Sequence, residues 1–380
     1  MVASHMMASI ALPTGPYDWH PERIPRGVYE ARGEQARMAM RQRGVTNMIV
    51  HGNGFDHGGL AWLTGFTPKL GPGYALIPVE GASRLLFAGG SGMRPSAARL
   101  TWIEDVAALK GIAADLGQWL GEGTSSRAPV LGLCEGRAMA LDDWQAATRA
   151  VPGHRQLVEL DDAIDGLRRA KTPIEIALIR RAAAILGSAT DELAAASLVH
   201  GVRTAALAAE RLAYDAGAQD IRVRIGTRPW AAPIALGTGD HRIDGPVRVA
   251  VAVRYAGYWV HGHFVAGVLP AEAVRRARDT IADHLGCLRP GATAADLAAG
   301  LGTAMGTAMG TETRCTVTGV GLSPAEHPFL TDGDELRAGD VCVLTLSCEA
   351  GRGQRGQWSA IVAIDVGGHE LLWTPPGLSP

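Results

Sequence analysis

The chain has 380 residues, 47% of them apolar and 19% charged, which is ample material for a core and argues against a disordered protein. Lys and Arg number 36 against 38 Asp and Glu, and no basic run exceeds a pair such as Arg168-Arg169, so a nucleic-acid-binding surface is not expected. Every apolar window is broken by Gly, Arg or Asp before the roughly 20 residues of a membrane span, so no membrane partner is expected.

The opening MVASHM reads as a vector scar, and residues 1–26 are set aside as scar and N-terminal extension. Pro13, Pro16 and the charged stretch Asp18–Arg26 interrupt any apolar signal core. The five cysteines (Cys134, Cys287, Cys315, Cys342, Cys348) are scattered with no C-x-x-C pair, which points to reduced thiols and a cytoplasmic location.

In chain order, Pro25–Arg43 carries apolar residues near a 3.6 period and is expected to be a helix. Thr46–Val50, Tyr74–Val79 and Arg84–Ala88 are short apolar runs bounded by Gly and Pro, hence strands. Val106–Leu120 reads as a helix, Pro129–Leu133 as a strand and Asp142–Val151 as a helix. This alternation predicts an α/β domain over 27–164. Leu160–Lys171 reads as a charged connector.

A long helix is predicted from Pro173, opened by Thr172 as N-cap with Glu175 close behind. Further helices are expected at Arg203–Ala216, Ala271–Leu288 and Thr293–Thr303. Strands are expected at Ile221–Ile225, Val247–Tyr255, Trp259–Val268, Thr316–Val320, Val341–Cys348 and Ser359–Asp365. Together they predict an α+β domain over 165–380. The direct repeat Gly302–Glu312 (GTAMGTAMGTE) is too short for a solenoid unit and reads as a Gly-rich turn.

Several stretches stand in one recognisable order. Arg168–Ile185 (RRAKTPIEIALIRRAAAI), Asp56–Phe66 (DHGGLAWLTGF), Gly257-Tyr258, Thr318–Pro328 (TGVGLSPAEHP), Gly339–Val341 and Gly368–Leu372 resemble the creatinase / aminopeptidase P / prolidase family. The resemblance implies a creatinase-N-like α/β domain followed by a pita-bread domain, and a homodimer. Metal-dependent members hold two divalent ions through two Asp, one His and two Glu, because hard cations want carboxylate oxygens. Counted along the resemblance, those positions fall here on Ala250, His261, Thr318, Thr345 and Ser359, so no metal cofactor is expected. The creatinase histidine falls on Pro233.

What remains is an imidazole pair. His261 and His263 lie two apart in a strand and share a face, the pattern of an acid and a base. Glu326, in the family's HExP position, is a third catalytic candidate. Arg222 and Arg224 alternate on one strand and suit a substrate carboxylate. Trp230, Trp259 and Trp358 are candidates to line the pocket, with His241, Thr318, Thr345 and Ser359 as further substrate contacts. The expected function is metal-independent His chemistry on a small amino-acid-derived molecule: C–N hydrolysis, elimination, isomerisation or cyclisation. The Ala/Gly/Arg-rich composition looks like that of a high-GC bacterium, where such a copy would serve specialised metabolism. The alternative is a pita-bread protein that binds or scaffolds without turnover.

Overall fold

The computed structural model describes residues 19–69, 71–122, 129–150, 157–195, 201–237, 242–297, 314–330, 334–351 and 354–378. The chain divides into two compact units, Met1–Arg168 and Arg169–Pro380. No helix among the described residues is long and apolar enough to cross a membrane.

In the first unit, α1 (Arg26–Gln42), β1 (Asn47–Gly52), α2 (Gly58–Thr64), β2 (Gly73–Pro78), β3 (Arg84–Phe87), α3 (Arg94–Ala98), β4 (Asp105–Ala108), α4 (Ile112–Glu122), β5 (Leu131–Cys134), α5 (Leu141–Arg149), β6 (Val158–Glu159) and α6 (Asp161–Arg169) follow in order. The six strands form one sheet in the order β4-β3-β2-β1-β5-β6. Ile49, Tyr74, Leu76, Leu86 and Leu131 from the sheet bury against Leu116 and Trp119 of α4. Two expectations need correction. Val106–Ala108 belongs to a strand, because β4 completes the sheet edge parallel to β3 with Val106 beside Leu85. Gly111, at φ 150°, separates that strand from α4. The connector Leu160–Lys171 is mostly helix: Asp161 and Asp162 occupy the first turn, where the helix dipole favours anions, and Leu160 and Ile164 are buried.

The second unit begins with the predicted helix, α7 (Pro173–Ala195). Its start is a capping box: the Thr172 N–H and hydroxyl both donate to Glu175 Oε2 at 2.9 Å. Then come α8 (Val202–Asp215), β7 (Asp220–Ile225), β8 (Ile234–Ala235), β9 (Val247–Tyr255), β10 (Tyr258–Ala266) and α9 (Ala271–Cys287). Finally β11 (Arg314–Gly319), β12 (Glu326–Phe329), β13 (Val341–Gly351), β14 (Gln354–Asp365) and β15 (Gly368–Trp373) complete the chain. Two sheets result, β10-β9-β7-β8 and β12-β11-β13-β14-β15.

Helix α7 packs on β9 and β10, and α9 on β13 and β14, while β10 meets β14 where the sheets face one another. Alternation decides the faces. Val247, Val249, Val251 and Val253 are buried, and the residues between them turn to the opposite sheet. Of the expected helix Thr293–Thr303, only the first turn lies within the described residues, and the repeat Gly302–Glu312 lies outside them.

Candidate functional site in the second unit

Strand register builds the site. Across β10, β9 and β7, His261 stands opposite Ala252 and Ala252 opposite Arg222; His263 stands opposite Ala250 and Ala250 opposite Arg224. Cross-strand partners share a face, so two imidazoles line one side of a trough, two guanidinium groups the other, and two methyl groups floor it. Trp259 continues the row of His261 and is buried, with the guanidinium groups of Arg222 and Arg254 4.7 and 5.7 Å from its ring centre.

The facing sheet brings hydroxyls. Thr316, Thr345 and Ser359 are successive register partners across β11, β13 and β14, and Thr318, two residues along β11, shares their face. Ser359 is fully buried. Its Oγ lies 3.0 Å from Thr345 Oγ1 and 3.2 Å from both the backbone N and the ring Nδ1 of His263. The backbone N–H of His263 donates to Ser359 Oγ, which leaves one lone pair and one proton for Thr345 and the imidazole. Two arrangements satisfy every atom. In one, Thr345 donates to Ser359, which donates to Nδ1, and His263 carries its proton on Nε2. In the other, Nδ1–H donates to Ser359, which donates to Thr345, and Nε2 presents a lone pair.

The rings of His261 and His263 meet edge to face, 6.0 Å between centres. Burial, with a smaller contribution from His261, lowers the pKa of His263 to about 4. Burial also lowers that of His261, opposed by a hydrogen bond to the carbonyl of Pro324. Both imidazoles are therefore neutral at pH 7. With one nitrogen turned to the Pro324 carbonyl, a neutral His261 ring keeps its other nitrogen as an acceptor.

Glu326 sits elsewhere in the same design. Its Oε1 is 2.7 Å from Lys171 Nζ, with both side chains nearly buried, and its Oε2 accepts the Ser323 N–H at 3.1 Å. Its carboxylate thus ties down the loop whose Pro324 carbonyl orients His261. Lys171 and that carbonyl escaped the sequence reading. Lys171 was hidden in a charged connector, and a backbone acceptor leaves no trace in residue identity.

The other expected contacts divide. Thr345, Ser359, Thr318, Arg222, Arg224 and Trp259 share the trough and its roof. Trp358 does not: alternation turns it to the opposite face of β14, where its indole lies over Gly356. Trp230 lies in the turn after β7, half-buried, at φ 62°. His241 lies outside the described residues.

The dimetal donor set can be tested against these positions. Ala250, His261, Thr318, Thr345 and Ser359 offer one imidazole, three hydroxyls and a methyl, with no carboxylate. Hard dications are not matched by that chemistry, and two arginines share the trough. Among the described residues, no three of His, Cys, Asp or Glu gather as a metal-binding group.

An α/β unit followed by an α+β unit whose two sheets face one another is the two-part pita-bread fold. Solved structures match it across most of the chain. Prolidase from Pyrococcus horikoshii superposes with a TM-score of 0.71 at 18% identity, covering 90% of this chain and 97% of that one. Xaa-Pro dipeptidase from Bacillus anthracis gives 0.70 at 17%, covering 93% and 98%. The N-terminal domain of a FACT complex subunit from chickpea gives 0.67 at 14%, covering 91% and 96%. No protein-family model matches the chain, and no match is found among curated proteins.

Proposed function

We propose that the second unit is a metal-independent catalyst that moves protons on a small amino-acid-derived molecule, with His261 as base and His263 as acid. The observation that carries this reading is the pair of buried imidazoles on one strand face, edge to face with ring centres 6.0 Å apart, one of them held by the Thr345–Ser359 hydroxyls. His261 spends its N–H on Pro324 and keeps a lone pair, whereas the Thr345–Ser359 chain lets His263 present Nε2–H. One proton taken by His261 and one given by His263 leave the pair unchanged in total, and the starting state returns when a proton is lost from His261 and regained by His263. Glu326 acts as a positioning residue through the Ser323–Pro324 loop. Such a site suits cleavage of a C–N bond, elimination, isomerisation or cyclisation, each of which needs one proton taken and one given.

The experiment is incubation of the full chain with amino, imino and guanidino acids and indoles, followed by mass spectrometry. Product is expected from the wild type, and His261→Gln or His263→Gln should lower its rate by roughly 10²–10⁴-fold with little change in Tm. Glu326→Gln should lower the rate less than either. A rate indifferent to both histidines overturns the assignment. The fold shared with the FACT subunit domain favours a second reading, a binding protein without turnover, for which no product forms.

A further inference from the structure

We infer that the trough opposite the imidazoles is an anion-binding subsite, with Arg224 as the group that holds a carboxylate or phosphate of the ligand. This rests on the reading of the trough as a substrate site and specifies which end of the substrate faces β7.

The cross-strand rows make the charge count. On the trough face stand Arg222 and Arg224 of β7, Arg248 and Arg254 of β9, and a single carboxylate, Asp220. Asp220 is taken by Arg222, whose Nε and terminal nitrogen both lie 3.3 Å from its Oδ2. Arg248 donates to the Ala231 carbonyl at 2.9 Å, and Arg254 to that of Gly257 at 3.3 Å. Arg224 is exposed and has no hydrogen bond or ion pair among the described residues. A guanidinium always carries its charge and presents a planar fork matched to two oxygens.

Geometry fits a small ligand. Strands run about 4.8 Å apart, so the Cα atoms of Arg224 and His263 are separated by roughly 10 Å across Ala250. An amino-acid-sized molecule spans that interval with its anionic end on the guanidinium and its reacting atoms beside the imidazoles. Only methyl groups intervene. The charge logic also couples the two ends: an anion in the trough favours the protonated imidazole, offsetting the burial that keeps His263 neutral. The subsite thereby primes the acid it faces.

Calorimetric titration of the full chain tests this with benzoate and inorganic phosphate as anionic probes and benzamide as the neutral isostere. Saturable binding of an anion is expected, with benzamide weaker by roughly tenfold or more. Arg224→Ala should weaken the anion by a similar factor, and Arg224→Lys should recover part of it, because an ammonium restores charge without the fork. Benzoate tighter than phosphate assigns a carboxylate, and the reverse assigns a phosphate. Absence of saturable anion binding, benzamide binding as tightly as benzoate, or an Arg224→Ala dissociation constant within about twofold of wild type overturns the subsite. Arg224-dependent binding without any product would instead leave the subsite standing and sink the catalytic reading.

Discussion

One buried base and one buried acid give this protein opposite responses to pH. His263 titrates near 6.5 in an unfolded chain and at about 4 in the fold, so the unfolded state takes up its proton first as pH falls. Stability from this group is complete above pH 6.5, declines as pH falls, and levels near pH 4, a change on the order of 3 kcal/mol. Glu135 does the reverse in the first unit. It stands at φ 58° with its carboxyl nearly buried against the Gly59 N–H, and burial pushes its pKa up to about 8 in spite of Arg168. The unfolded chain releases that proton from about pH 4.5, so stability declines as pH rises from 4.5 to 8. Urea unfolding across pH is expected to show His263→Gln flattening the acid limb and Glu135→Gln the alkaline limb. Exchange of the two effects, or no effect of either, refutes the assignment.

At the scale of the element, strand β10 explains both what the sequence reveals and what it hides. The run YWVHGHFVA displays its alternation openly, and so places both histidines on one face, as the register confirms. The capping box at Thr172 is equally legible, because every partner lies within one turn. Gly262, between the histidines, is not. A Cβ there would stand 2.3 Å from two ring carbons of Trp373, and the same indole lies 3.5 Å from the Cβ position of Gly187 on α7. Two distant glycines thus form the slot for one tryptophan, a relation visible only once β15 has folded back. Gly262→Ala is expected to destabilise by about 1–3 kcal/mol or more and to disturb both flanking imidazoles. Gly286→Ala, in α9 with nothing within 4 Å of its Cβ position, should instead stabilise by about 0.5–1 kcal/mol. Thermal unfolding of the two variants separates a packing effect from a general intolerance of glycine replacement.

Over the whole molecule, a net charge of −2 conceals an arginine-rich trough, since the rows that concentrate charge exist only after strands pair. The resemblance of ordered motifs carried the fold, but the ion pair of Glu326 with Lys171 and the face taken by Trp358 depend on contacts and register that motif order does not encode. The same holds for what closes the second unit. Arg169, just before its first helix, donates from Nε and a terminal nitrogen to the two carboxylate oxygens of Asp340, each at 2.9 Å, and its other terminal nitrogen donates to Asp334 at 2.9 Å. Asp340 has no solvent exposure, and it also accepts the Arg337 N–H at 2.7 Å. The two ends of this pair are 171 residues apart, so forming it closes nearly the full length of the unit. Removing one partner strands a desolvated charge: Arg169→Ala should lower unfolding free energy by about 3–5 kcal/mol. Asp340→Asn keeps the Arg337 contact and removes the charge, so the double variant should lose clearly less than the two single losses added together. Equilibrium denaturation of all four proteins measures that difference. Strict additivity would mean that Arg169 and Asp340 stabilise the unit independently, and that this long-range pair is not what joins its beginning to its closing hairpins.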